Sequence, residues 1–200
     1  MNEEKITEKQ LKRFTWLMAL MIESGLPLVE TLDVLADDND ENFLKIITKM
    51  NDEIKEGSSL ADAMRNANVF PEFYVEMIGA GEVNGILDTV LNRIDRLLQF
   101  ESTNELIRFS WIFGSMLSCG IPIITTLDFL KKMFNHNEKF ANAIGEIREH
   151  VSDGGNVYDK MKEYDIFPKI FWKMVMVGEK TGALDQMLVK YAVTVLEHEE

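Results

Sequence analysis

The stretch RFTWLMALMIESGLPLVETLDVL, Arg13 to Leu35, returns 95 residues later as RFSWIFGSMLSCGIPIITTLDFL, Arg108 to Leu130. Self-similarity on this scale constrains a fold more than composition does, because both copies must build the same supersecondary unit. The register continues beyond this stretch. Phe70-Pro71 matches Phe167-Pro168, Gly81-Glu82 matches Gly178-Glu179, Gly85 matches Gly182, and Leu87-Asp88 matches Leu184-Asp185, all at an offset of 97. The change of offset puts a two-residue insertion in the second copy between Leu130 and Phe140, around FNHNEKF. Gly-Glu-x-x-Gly-x-Leu-Asp is therefore written twice, where a chemical site would need it once.

Each copy reads as helices throughout. Leu11, Phe14, Leu17, Met18, Met21 and Ile22 fall on one helical stripe, the pattern of an amphipathic helix packed on a core. Gly25 ends that helix at a position past its C-cap, and Pro27 opens the next in its first turn. The same turn recurs at Gly120 and Pro122. A second helix covers Leu28 to Ala36, and a third carries Phe43, Leu44, Ile47, Met50 and Ile54 to Gly57. Ser59 with Asp62 resembles a capping box for a short helix through Met64. Phe70-Pro71 opens a fifth helix, with Phe167-Pro168 as its counterpart. A sixth buries Ile86, Leu87, Val90, Leu91, Ile94, Leu97 and Leu98 at 3.6-residue spacing. No alternating β pattern competes. The expected fold is all-α, a tandem repeat of two antiparallel six-helix bundles, residues 1–101 and 102–200. Ser102 or Thr103 is the expected cap of the helix that enters the second copy.

Composition narrows the function classes. Lys plus Arg number 21 against 34 Asp plus Glu, a net charge of −13, and such a surface repels a phosphate backbone. The first hundred residues hold 10 basic and 19 acidic groups and the second hundred 11 and 15, balances of −9 and −4. Nucleic acid is not an expected partner. The lone cysteine, Cys119, cannot close an intrachain disulfide, which fits a reducing compartment. The N-terminal MNEEKITEKQ lacks the apolar core of a signal peptide.

One segment needs testing as a membrane span. Phe109 to Leu127 carries no formal charge across 19 residues, and about 18 apolar residues suffice to cross a bilayer. Ser110, Ser115, Ser118, Thr125 and Thr126 lie inside it, however, and Gly120 with Pro122 would break a spanning helix. A helix-turn-helix of the bundle is the expected reading.

Catalytic and metal readings fail on spacing. GEKTG offers Lys180-Thr181, but Glu179 stands where a phosphate-binding loop needs its second glycine. His136, His150 and His198 form no pair at metal-ligand spacing and read as surface residues. In the acidic loop Asp37 to Glu41, Asn42 and Thr48 occupy the positions where an EF-hand requires Gly and Glu. Neither a cofactor nor a metal is expected. Trp16 and Trp111 hold matching places in the first helix of each copy and read as core, or as contacts between the bundles, before a ligand cage.

The repeated turn supports two readings. Structurally, Gly81 lets one helix approach another, Gly85 takes a positive φ, Leu87 plugs the core, and Asp88 meets the positive end of the next helix dipole. Gly178, Gly182, Leu184 and Asp185 repeat this. Glu82 and Glu179 have no evident core duty, and a carboxylate at a turn can accept from nearby backbone amides. The alternative makes Gly81, Glu82, Gly85 and Asp88, with Gly178, Glu179, Gly182 and Asp185, a partner-recognition motif at an exposed corner. On the partner reading Glu82→Ala and Glu179→Ala weaken binding and spare folding; on the structural reading they cost stability. A hydrolase using Glu82 and Asp88 would need a concave site, which a convex helix corner does not offer.

The ordered set Gly25-Leu26-Pro27-Leu28, Gly57-Ser58-Ser59-Leu60, Phe70-Pro71, then Gly81-Glu82 with Gly85 and Leu87-Asp88, closely resembles the F domain of type II secretion and type IV pilus platform proteins. The resemblance covers nearly the whole chain, twice, although the second copy has Gly154-Gly155-Asn156-Val157 in place of GSSL. It implies a non-catalytic scaffold on the cytoplasmic side of the bacterial inner membrane, without enzymatic activity or cofactor. The partners it implies are a hexameric assembly ATPase, other inner-membrane assembly components and pilin or pseudopilin, together with self-association. The chain departs from the family in joining Arg93 to Arg108 through a polar segment where family members carry membrane spans. The resemblance thus implies membrane attachment only through spans absent from this chain, with a soluble adaptor or regulator built from duplicated F domains as the alternative.

Overall fold

All the regular structure in the computed structural model, which describes residues 6–37, 41–99 and 104–199, is α-helical. In order the helices are α1 Glu8–Glu23, α2 Leu28–Asp37, α3 Glu41–Lys55, α4 Leu60–Ala67, α5 Glu72–Asn84 and α6 Leu87–Gln99, then α7 Glu105–Ser118, α8 Ile123–Met133, α9 Glu138–Ser152, α10 Val157–Met161, α11 Lys169–Thr181 and α12 Leu184–Glu199. The chain divides into two units, Met1–Gln99 and Phe100–Glu200, so each holds six helices, as the all-α repeat predicts. Within a unit every helix packs on its neighbour in sequence, and the last closes on the first, α6 on α1 and α12 on α7.

The turns explain why the sequence breaks where it does. Gly25 has φ +86° and Gly120 φ +84°, and the following amides reach back along the helix, Leu26 N to Met21 O at 3.0 Å and Ile121 N to Met116 O at 3.2 Å. This is the Schellman closure, which satisfies carbonyls the helix end would leave unpaired. The prolines sit one residue earlier than expected. Pro71, Pro122 and Pro168 are N-caps with extended ψ of 142°, 141° and 150° rather than first-turn residues, and the Pro27 carbonyl accepts from Thr31 N at 2.9 Å in the same manner. At that position the fixed φ is still compatible with helix entry, and the missing N–H costs no helical bond. Ser102 and Thr103 lie outside the described residues; α7 is capped by Asn104, whose Oδ1 accepts from Leu106 N at 3.0 Å.

Equivalent rings build the two cores. In the first unit Phe14 lies 5.5 Å from Phe43 and 5.6 Å from Phe70, which stacks on Tyr74 at 5.7 Å. In the second, Phe109 lies 5.6 Å from Phe140 and 5.8 Å from Phe167, which stacks on Phe171 at 5.8 Å. Tyr74 is fully buried, and its hydroxyl is satisfied by Thr15 Oγ1 at 3.0 Å; burial pushes the phenol well above its ordinary pKa. The second copy has Phe171 there, and Ser110, the counterpart of Thr15, donates only to Leu106 O at 2.6 Å. At this position the phenol hydroxyl is thus present in the copy whose α1 side chain reaches it.

The uncharged segment 109–127 divides into α7 and α8, and among the described residues no helix is long and apolar enough to cross a membrane. Its apolarity has a local cause. Phe109, Ile112, Phe113 and Met116 are buried in the unit, and a Cβ on Gly114 would stand 2.7 Å from Asp185 O and 2.9 Å from Val189 N, so the backbone of α12 lies directly against α7. Two expectations about single residues need correction. Trp16 is 51% exposed, because Phe14, Thr15, Met18 and Ala19 supply the buried face of α1. Leu87 is half-buried, and the core place is held by Val90, Leu91 and Ile94.

Because Phe109 meets Phe113, Phe134, Phe140, Phe167 and Phe171 within 6.4 Å, Phe109→Ala should destabilise the second unit by about 3–5 kcal/mol. A shift of the denaturant midpoint checks this; a change below about 1 kcal/mol would show the ring cluster to be dispensable.

Candidate functional site

The repeated motif sits where the fifth helix of each unit ends and the sixth begins. Gly85 caps α5 in the left-handed region at φ +67°, and Gly182 caps α11 at φ +71°, conformations that exclude most side chains. One turn earlier the helices approach closely. A Cβ on Gly81 would meet Val90 Cγ2 at 3.0 Å, and one on Gly178 would meet Leu184 Cα at 2.8 Å. Asp88 and Asp185 lie in the first turns of α6 and α12, where the helix dipole favours a negative charge.

Glu82 and Glu179 do not point into solvent with both oxygens free. Glu82 Oε1 accepts from Leu60 N at 2.7 Å and Oε2 from Ala61 N at 2.9 Å. Glu179 Oε1 accepts from Val157 N at 2.8 Å and Oε2 from Tyr158 N at 3.0 Å. In each unit, then, a carboxylate at the end of the fifth helix is a bidentate acceptor for the first two amides of the fourth. Both are half-buried. At the C-terminal end of its own helix a glutamate opposes the dipole; at the N-terminus of another it meets the positive end and gains two charge-assisted bonds.

The first copy completes the cap. Ser59 Oγ accepts from Asp62 N at 3.0 Å and Ser59 O from Ala63 N at 3.0 Å, so all four leading amides of α4 have acceptors, two of them supplied by Glu82. Ser59 therefore acts as the N-cap, while the distant Glu82 takes the amides that a local box would leave. In the second copy Asn156 makes no side-chain cap bond, and Glu179 bonds the leading amides without such help. The partner amides of Leu60, Ala61, Val157 and Tyr158 were not expected as members of the site. The available signal was a glutamate placed against its own helix dipole, with a short helix of capping composition 22 residues upstream.

Other candidate residues remain dispersed. Lys180 and Thr181 end α11, and Thr181 Oγ1 bonds Val177 O at 2.8 Å. His136 is exposed and lies 2.9 Å from Glu105 Oε1, His198 is exposed, and His150 is half-buried with Nε2 where a Cβ on Gly155 would fall. Among the described residues no group of three or more His, Cys, Asp or Glu could hold a metal ion. Asp38, Asn39 and Asp40 of the acidic loop lie outside the described residues. Cys119 is a buried free thiol.

Comparison with known proteins matches residues 14–108 and again 109–200 to the family described as type II secretion system (T2SS), protein F. The chain belongs to this family. It is a family of non-enzymatic components of secretion and pilus systems. Among similar proteins, the type IV pilus assembly protein PilC of Myxococcus xanthus is 25% identical over 92% of this chain and 70% of its own length. The type IV pilus assembly protein TapC of Aeromonas hydrophila is 35% identical over 46% of the chain and 22% of its own length, and the type II secretion system protein F of Vibrio cholerae is 31% identical over 44% and 22%. The match to the Myxococcus protein runs over 295 positions, whereas 92% of 200 residues is about 184, so roughly 110 positions of that protein face no residue here. The two matched F domains abut at residues 108 and 109.

Removing either glutamate strands two amides at a helix start. Glu82→Ala and Glu179→Ala should each cost about 1–3 kcal/mol, read as a lowered denaturant midpoint of the unit concerned. The Glu179 variant should also show faster amide hydrogen exchange at Val157 and Tyr158. Unchanged stability and exchange in both variants would mean that these bonds contribute nothing net.

Proposed function

We propose that the two bundles form the cytoplasmic body of an inner-membrane platform protein and couple an assembly ATPase to the assembly of pilin or pseudopilin. The observation that carries this reading is the double match to the F family, with a relative named for type IV pilus assembly over 92% of the chain and one named for type II secretion over 44%. Physical features support it. Each unit is a closed ring of helices with an aromatic core, and the motif glutamates tie helices together within a unit. Such a body transmits displacement through packed side chains, since close-packed interiors deform little under load.

The roughly 110 unmatched positions of the Myxococcus relative are enough for several membrane-crossing helices of about 20 residues each. On this reading they supply the membrane attachment of the relative, whereas among the described residues here no helix is long and apolar enough to cross a membrane, and the bundles face the cytoplasm beside the ATPase. Partner recognition at the repeated corner then falls to neighbours of the clamp such as the exposed Asp88 and the half-buried Asp185, since the oxygens of Glu82 and Glu179 are engaged internally.

Titration of the whole chain with the assembly ATPase from its own organism, followed by calorimetry, tests the coupling role. Saturable binding is expected, weakened by Asp88→Asn or Asp185→Asn with only a small loss of thermal stability, since each change also removes a charge from a helix N-terminus. No measurable binding to the hexameric ATPase would remove the coupling reading.

A further inference from the structure

The fifth helices of the two units differ at equivalent positions in two ways at once. On α5, Phe73 and Met77 are buried. On α11 the same places, offset by 97, hold Ile170, which is 62% exposed, and the half-buried Met174. Val177, 43% exposed, continues the open strip one turn further along. A face that the first unit closes is thus left open in the second. The flanking charge reverses as well, from Glu72 and Glu76 to Lys169 and Lys173, and Lys180 extends the basic edge. All three lysines are exposed. Among the described residues Lys169 and Lys173 enter no ion pair, whereas Lys160 and Lys162, a few residues earlier, are each held by carboxylates.

Cations beside open apolar side chains on a convex helix fit a surface that offers anionic groups above an apolar layer. We infer that the α11 face of the second unit lies against the anionic surface of a bilayer, with Lys169, Lys173 and Lys180 at the lipid phosphates and Ile170 and Val177 reaching below them. Long lysine stems can lie along apolar surface while their ammonium groups stay among the headgroups. A purely acidic protein segment would satisfy the lysines but leave Ile170 and Val177 in water. At long range the net charge of −13 opposes approach to such a surface. At about 0.1 M salt, however, a screening length of roughly 10 Å limits what the bilayer feels to the nearest face. The inference rests on the platform reading, which keeps a bilayer at high local concentration beside the bundle, so that a modest affinity suffices.

Flotation of the full chain with excess lipid vesicles tests the contact. At about 0.1 M salt the chain should float with vesicles of equal parts phosphatidylglycerol and phosphatidylcholine and not with phosphatidylcholine alone, and it should be released at about 1 M salt, where screening acts within about 3 Å. Lys169→Glu with Lys173→Glu should lower the affinity at least about tenfold. The first unit carries glutamate at both equivalent positions, so the helix accommodates the change; Lys169→Gln with Lys173→Gln is the milder pair should thermal melting show the reversal to be unfolded. Ile170→Ser should lower the affinity severalfold, an effect that a purely electrostatic contact would not show. Lys45→Glu with Lys49→Glu makes the same change of net charge on α3 and should have a much smaller effect. No flotation with the anionic vesicles, a Lys169 and Lys173 variant that floats like the parent, or an equal loss in the α3 variant would each overturn the inference. Capture of a polyglutamate peptide by a chain that ignores vesicles would overturn it in favour of an acidic protein partner. A chain that binds the ATPase but no vesicle loses this contact and keeps the platform reading, which the calorimetric titration tests by itself.

Discussion

The bond on which each unit turns is the bidentate grip of a glutamate on the first two amides of a helix that precedes it by about twenty residues. Helices as short as α4 and α10, eight and five residues, cannot hold themselves together in water, because nucleation costs more than so few backbone bonds return. Their leading amides would be left to solvent, and their packing on the ring of helices would be loose. A carboxylate brought from the end of the next helix fixes both the helix start and the angle between the two elements. The neighbouring glycines follow from this demand. Gly81 and Gly178 let the sixth helix come close enough to close the ring, and Gly85 and Gly182 turn the chain sharply after the glutamate has been placed. Gly-Glu-x-x-Gly is therefore one mechanical part: approach, grip, turn.

Comparison of the two units separates what this part fixes from what it leaves free. The glutamate geometry is kept within about 0.1 Å although the capped helix reads SSLA in one copy and GNVY in the other. The aromatic quartet keeps its edge and stacked contacts while Tyr74 is exchanged for Phe171, with a compensating change from Thr15 to Ser110. Between the second and third helices the link is Asn51 to Asp33 at 2.6 Å in one unit and Arg148 to Asp128 at 3.0 Å in the other. In each case the position is bridged and the chemistry of the bridge differs. The outer faces diverge further, to the point of opposite charge on α5 and α11.

The helical skeleton was legible because its signals are local. Apolar spacing, Gly-x-Pro turns and the repeat offset each report on a few neighbouring residues, and helix order follows from them. The burial of Trp16 was misread for a related reason. Its match to Trp111 reports common ancestry of position, but burial depends on which face of α1 the rest of the unit covers. Leu87 was misplaced by one turn, since a residue at the start of a helix shares its shielding with solvent. The glutamate grip could be named only as a general possibility of bonding at a turn, because its partners lie 21 and 22 residues away and periodicity carries no information about which amides a folded chain will bring together. The prolines were read one residue late because a first-turn and an N-cap proline differ only in ψ.

A family motif with a glutamate at an exposed-looking corner invites a reading as a contact surface, and the geometry turns that reading around. A carboxylate holding two amides within its own unit cannot give the same bonds to a partner without releasing them, and unpaired buried amides cost about as much as the new contact would return. The motif therefore serves a scaffold best by keeping each bundle rigid. The surfaces that the fold does not constrain have diverged, with Glu72 and Glu76 on α5 where α11 has Lys169 and Lys173. A protein made of two stiff bodies with differentiated faces can engage different neighbours through each, a requirement for any component that must pass position from one part of an assembly to another.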